Sequence, residues 1–168
     1  MLTKFLQQKR ERILEEWLDQ TINTYEPEMV RFLKKEKNQF SNPVRNTIIT
    51  SLEKIFDGIV CDNGVGNSSG LEDLIKVRAV QNFSPSEALS FLFGLKKIIR
   101  TELLRNEEKS GSLNDLYMLD QKFDTLLRQA FDYYNDCRMK INDIKISEIK
   151  ARSERAFEIM NKTTENTD

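Results

Sequence analysis

The chain has 168 residues, 39% of them hydrophobic and 32% charged, with 26 basic side chains against 27 acidic ones and no histidine. That length buries a real core in one domain, and the even charge balance excludes the concentrated positive field that nucleic-acid binding requires. Without histidine there is no Ser-His-Asp or Cys-His catalysis, no His-ligated zinc or haem and no Glu-x-x-His di-iron centre, so neither a cofactor, a metal nor an enzymatic activity is expected.

A first helix is predicted from Thr3 to about Asn23, because Leu6, Ile13, Leu14, Trp17, Leu18 and Ile22 recur three, four or seven apart. Its start, MLTKFLQQKRER, lacks the apolar middle of a signal peptide. No segment approaches the ~20 apolar residues of a membrane span. A cytoplasmic protein without membrane insertion is therefore expected, with Cys61 and Cys137, which have no metal or redox spacing, as small apolar thiols. Glu11, Glu15, Glu16 and Asp19 read more simply as solvated carboxylates than as metal ligands.

Pro27 opens a short second helix with Met29, Phe32 and Leu33 as its apolar side. The basic run Lys34-Lys35-Glu36-Lys37 reads as a solvated face. Ser41-Asn42-Pro43 places a polar cap before a first-turn proline, and Val44, Ile48, Leu52, Ile55, Phe56 and Ile59 carry that helix to Asp62. The loop DNGVGNSSG follows no strand and precedes no Gly-Lys-Ser/Thr, so it is not a phosphate cradle. Ser69 and Glu72 have capping-box spacing for a helix through about Gln81.

The stretch NFSPSEALSFLFGLKK is the most informative. Ser84 is the cap, Pro85 the first helical residue and Glu87 the box partner, with Phe83 and Ala88 at staple positions. Inside the helix, Ala88, Leu89, Phe91, Leu92, Phe93, Leu95, Ile98 and Ile99 cover most of the circumference. A helix apolar on nearly every side is central and buried, and Gly94 within it would let a neighbouring backbone come close.

A last helix begins near Ser112 after the polar break NEEKSGS and runs without Gly or Pro to residue 160, a rod of roughly 70 Å. Leu116, Leu119, Phe123, Leu126, Leu127, Ala130, Phe131, Tyr134, Cys137, Ile141 and Ile144 form its stripe. Of Tyr133 and Tyr134, one should face the core and the other the surface. Beyond Ile144 the stripe shifts to Ile146, Ile149, Ala156, Phe157 and Met160, which implies a bend or a projecting end that meets a second partner. Residues 161–168 are polar and expected to be disordered. The whole is all-α: a single-domain helical bundle, residues 1–160, around a buried central helix with a long C-terminal helix.

Three polar residues interrupt the apolar pattern. Arg78, Gln81 and Arg45 line a small pocket for an anionic or polar small molecule on one reading; on the simpler one, Arg78 and Gln81 bond to free carbonyls at helix ends and fix the turn between helices.

Three blocks in order resemble the N-terminal sensory domain of the RsbT co-antagonist proteins of the RsbR/RsbRD type: WLDQTINTYEPEMVRFLKKEKNQFSNPV, IKVRAVQNFSPSEALSFLFGLKKIIRTEL and AFDYYNDCRMKINDIKISEIK. The middle block is the most telling, through Arg78, Ala79, Val80 and Gln81 and then Phe83, Ser84, Pro85 and Ala88. The resemblance implies a non-catalytic sensor or input module, a globin-like helical arrangement without haem, and a homodimer. In that family the domain precedes a STAS domain that engages RsbT. The 168 residues contain no STAS segment, so the phosphorylated output is not implied here.

A stress-response sensor that dimerises through its first and last helices is accordingly expected, with Ile141, Ile144, Ile149 and Phe157 as interface residues. The alternative is a structural or adaptor subunit that docks on a larger complex through its C-terminal helix.

Overall fold

A computed structural model describes residues 2–38, 40–60, 69–81, 83–106 and 113–165. Among them are seven α-helices and no strand: α1 (Leu2–Gln8), α2 (Arg10–Ile22), α3 (Pro27–Lys35), α4 (Pro43–Val60), α5 (Ser69–Val80), α6 (Pro85–Leu104) and α7 (Leu113–Glu165). Cys61, most of the DNGVGNSSG loop and nearly all of the NEEKSGS break lie outside the described residues.

The single first helix of the sequence reading is two. The chain leaves helical geometry at Lys9, whose N–H is shared between the Phe5 and Leu6 carbonyls at 3.2 and 3.1 Å. The stripe survives the break: Leu6, Ile13, Trp17 and Ile22 are all buried. In α3 only Leu33 is buried and Phe32 is 46% exposed, so that helix presents a narrower apolar face than expected.

The Pro43 start of α4 is built as its sequence demands. The Asn42 side-chain oxygen accepts from Arg45 N at 3.0 Å, while its amide donates to the Glu36 carbonyl at 3.1 Å. At α5 Ser69 is the first helical residue, and Glu72 of the first turn pairs with Lys76 at 2.7 Å. At α6 the box is complete: Glu87 Oε2 accepts from Ser84 N at 2.9 Å and Glu87 N donates back to Ser84 Oγ at 3.4 Å.

α6 packs against α2, α5 and α7. Ala88, Leu89, Phe91, Leu92, Leu95, Ile98, Ile99 and Leu103 are buried, but Phe93 is 55% exposed, so the helix is covered on most sides and keeps one wet edge. Trp17, fully buried, joins α2 to it: the indole N–H donates to the Phe91 carbonyl at 2.7 Å and the two rings stack with centroids 6.2 Å apart. Glu102, only 2% exposed, accepts from Arg12 and Arg105 at 3.2 and 3.1 Å.

The long helix is the tie rod. Leu119, Phe123, Leu126, Ala130 and Tyr134 are buried at steps of three and four, while Phe131, expected in that stripe, is exposed. Two of its cations meet the carbonyl ends of other helices, where acceptors lack an intrahelical partner and the dipole favours positive charge. Lys122 donates to the Ile59 carbonyl of α4 at 3.0 Å and Arg138 to the Ala79 carbonyl of α5 at 3.1 Å. The helix then leaves the core. It continues as one helix into the polar stretch after Met160, at 53 residues a rod of about 80 Å.

The glycine that permits close approach is Gly70, not Gly94. A Cβ at Gly70 would sit 2.8 Å from Lys54 Cβ and 2.9 Å from the Ser51 carbonyl oxygen, which fixes how tightly α5 packs on α4. A Cβ at Gly94 would meet only the movable end of Gln20 at 3.2 Å and Trp17 at 3.9 Å, and one at Gly58 would meet nothing. Denaturant titration should therefore find Gly70→Ala destabilised by about 1–3 kcal/mol and Gly58→Ala stabilised by about 0.5–1 kcal/mol. Equal responses would refute the assignment of the α4–α5 contact.

Candidate functional site

Arg78 occupies the next inward position of the α5 stripe after Leu71, Leu74 and Ile75, and it is fully buried. Its guanidinium is satisfied by backbone and rings, with no carboxylate bonded to it. Nε donates to the Ala88 carbonyl at 3.0 Å; Nη2 donates to the Glu87 carbonyl at 2.8 Å, to Thr24 Oγ1 at 3.0 Å and to Ser90 Oγ at 3.4 Å. The Phe83, Tyr25 and Phe91 rings lie 4.2, 5.2 and 5.8 Å from its central carbon, and Tyr25 meets Phe83 edge-on at 5.1 Å. Burial lowers the Arg78 pKa below the ordinary arginine value, opposed by Tyr25 and Glu87. Burial likewise pushes the Tyr25 phenol above its ordinary value, against the charge of Arg78.

One residue thus joins three elements: α5, the first turn of α6 and the connection from α2 to α3. The sequence expectation that Arg78 bonds to carbonyls and fixes a turn is met in kind, although these carbonyls belong to the beginning of α6 rather than to a helix end. Gln81 lies close by, on the wall of a cavity of about 340 Å³ shared with Tyr25, Glu26, Met29, Phe83 and Glu87. Arg45 does not join them. It stands in the first turn of α4, and its Nε is buried without a hydrogen-bond partner.

Tyr25 Oη, Arg78 Nη1 and Gln81 Oε1 are buried without a well-formed hydrogen bond, the Tyr25 hydroxyl having only the neighbouring Arg78 guanidinium to interact with. Tyr25 was not foreseen. Its place could be read only from the pattern of Arg78 at a core position, which demands rings or acceptors from elsewhere in the chain. A larger trough of about 380 Å³ between α6 and α7, lined by Leu103, Leu116 and Phe123, differs in kind. On its rim Lys96 and Arg100 already pair with Asp120, each at 3.0 Å.

The cluster is connected to the long helix at two points. Tyr134 donates its hydroxyl to the carbonyl of Phe83, the residue whose ring lies on Arg78, and Arg138 holds the carbonyl next to Arg78. Of the four expected interface residues, Ile141 is half-buried where α7 leaves the core. Ile144, Ile149 and Phe157 are 60%, 66% and 64% exposed beyond it. Cys137 is half-buried. Glu11, Glu15, Glu16 and Asp19 are all exposed, and among the described residues no group of three or more acidic or cysteine side chains could hold a metal ion. No helix among the described residues is long and apolar enough to cross a membrane.

The model of the RsbT co-antagonist protein rsbRD N-terminal domain matches residues 11–144, from the first turn of α2 to the point where α7 departs from the core. The chain belongs to this family. RsbT co-antagonist N-terminal domains are regulatory, which agrees with a cluster built from structural hydrogen bonds and ring contacts. An uncharacterized protein of Archaeoglobus fulgidus is 26% identical over 156 residues, covering 90% of this chain and 91% of its own. No solved structure matches.

Two outcomes follow from the buried cation. Arg78→Lys keeps the charge but loses the planar fork and its stacking, and should cost about 2–4 kcal/mol. Arg78→Met should cost less, since the Glu87 and Ala88 carbonyls stay within the α6 ladder. A lysine variant more stable than the methionine one would contradict this account. The raised phenol of Tyr25 makes its neutral form the one the fold favours. Its stabilisation is fully present below the unfolded value near 10 and is lost as pH rises through the folded value. Alkaline unfolding of Tyr25→Phe should accordingly set in at higher pH than that of the unaltered protein, measured by circular dichroism.

Proposed function

We propose that this domain is a non-catalytic sensor or input module that passes a rearrangement at the Arg78 cluster to a protein partner through α7. The observation that carries the reading is the pair of bonds from α7 into the cluster, Tyr134 to the Phe83 carbonyl and Arg138 to the Ala79 carbonyl, on a helix that continues well past the core. A ring shift at Phe83 or a tilt of α5 acts on α7 directly, and interfaces of this kind switch between discrete packings. Family membership supports the regulatory role. The stress-response setting, the cytoplasmic location and the globin-like arrangement are part of the same proposal.

The partner surface is the projecting segment, and its first occupant is a second copy of the chain. Exposed Ile146 and Ile149, followed by Ser153 and Ala156, step by three and four as a helix–helix seam does. α1 turns Leu2, Phe5 and Leu6 into the core and only polar residues outward, so the exposed apolar face for this contact is taken from the last helix. The adaptor reading uses the same exposed face with a different protein on it.

Light scattering at ~50 μM should give a particle of twice the 19.7 kDa chain mass. The double variant Ile144→Asp, Ile149→Asp should run as a monomer whose core melts at an unchanged temperature, because both side chains lie outside the core. A monomeric unaltered protein removes the dimer. Truncation after Ile144 then tests the adaptor reading, which requires a folded core that no longer binds its partner.

A further inference from the structure

We infer that the cavity between the start of α3 and the start of α6 binds a small zwitterion of the amino-acid class, carrying a carboxylate, an ammonium and an apolar side chain. This deepens the sensor reading by naming the chemistry sensed, and it rests on that reading only for its purpose.

Buried polar atoms in a native fold are bonded, and those left over call for an explanation. Here three such atoms belong to one cluster, and two of them, Tyr25 Oη and Gln81 Oε1, are on residues that line the cavity wall. The third, Arg78 Nη1, is on the guanidinium that already bonds Thr24 and Glu87, two further wall residues. Tyr25 is 7% exposed and Arg78 is not exposed at all, so bulk water does not serve them.

Their chemistry sorts into two halves. The Tyr25 hydroxyl on the wall can donate and calls for an acceptor such as a carboxylate, which the charge of Arg78 behind the wall also favours. The first turn of α3 adds to this half, since Glu26 gives it no side-chain cap and helix N-termini favour anions. Gln81 Oε1 can only accept and calls for a donor. Beside it stand the carboxylates of Glu26 and Glu87. Bonds from Ser84 hold the Glu87 carboxyl below the usual range, so it is charged at neutral pH.

A plain anion would meet those two carboxylates, and a plain cation would meet Arg78. A molecule bearing both charges answers both halves. Met29 and Phe83 supply an apolar wall for its side chain, and about 340 Å³ accommodates a small molecule rather than a peptide. Occupation would press on Phe83, the residue tied to Tyr134 of the long helix.

The test is isothermal titration calorimetry of the full chain with L-methionine and L-leucine as probes, against N-acetyl-L-methionine, which lacks the ammonium, and L-methioninamide, which lacks the carboxylate. Saturable binding of at least one free amino acid is expected, with each blocked form at least about tenfold weaker, the loss of one charged hydrogen bond. Tyr25→Phe and Gln81→Leu should each weaken binding by about tenfold or more. Tyr25→Phe should stay folded by circular dichroism, because its ring keeps the edge-on contact with Phe83, so that lost binding is not lost structure. No heat from either free amino acid up to ~10 mM, beyond ordinary metabolite affinities, overturns the inference. So does equal binding of a blocked form, or undiminished binding by both variants. Such a failure leaves the dimer and the role of α7 standing, because light scattering reads them without any ligand.

Discussion

The structure turns on a cation placed where water cannot reach it and where no anion bonds to it. A buried charge is costly unless it is paired or fully hydrogen-bonded. Arg78 is accommodated instead by two backbone carbonyls, two hydroxyls and the faces of aromatic rings. The partners come from two other parts of the chain, so the arginine can be satisfied only when α5, the turn after α2 and the start of α6 have all arrived. The capping box of Ser84 and Glu87 then does two jobs. It begins α6 where the carbonyls of Glu87 and Ala88 are needed, and it keeps a negative charge within electrostatic reach of Arg78.

That arrangement explains why a domain without catalytic groups still has a chemically distinctive centre. The helices pack as an ordinary apolar bundle, with Trp17, Phe56, Leu92 and Phe123 inside. The polar cluster lies at one side of it, against two interhelical connections rather than in the middle of the core. Connections are where helices can reorient at least cost to packing, because fewer interlocked side chains must move. A centre that holds them through directional bonds to one guanidinium fixes their angles, and it responds to whatever alters those bonds.

Much of this was legible wherever the cause is local. The Asn42-Pro43 and Ser84-Pro85 starts, the α2 stripe and the uninterrupted last helix follow from residues within a turn or two of one another, and they formed as the sequence indicates. Apart from the break at Lys9, the departures are non-local. Gly94 looked like the contact glycine because it sits in the greasiest helix, yet Gly70 is the one pressed against Ser51 and Lys54. Phe93 looked buried by composition, but three neighbours on one side leave an edge open. Arg78 was noticed as polar within an apolar run, whereas its ring partners come from two separate stretches, Tyr25 from one and Phe83 and Phe91 from the other, that no periodicity connects. Arg45, grouped with Arg78 as a pocket candidate, stands apart because it lies in the first turn of α4 and Arg78 in the last turn of α5.

The length of α7 has a mechanical consequence. Its packed portion from Leu119 to Tyr134 spans roughly 22 Å, and the stretch from Leu119 to Glu165 roughly 70 Å. With Leu119 as the fulcrum, a displacement of ~1 Å at Tyr134 swings the far tip by ~3 Å, as expected for a stiff lever of that ratio. Motion on the scale of a single bond near Phe83 becomes, at the other end of the rod, a step of about two residues' rise along a helix.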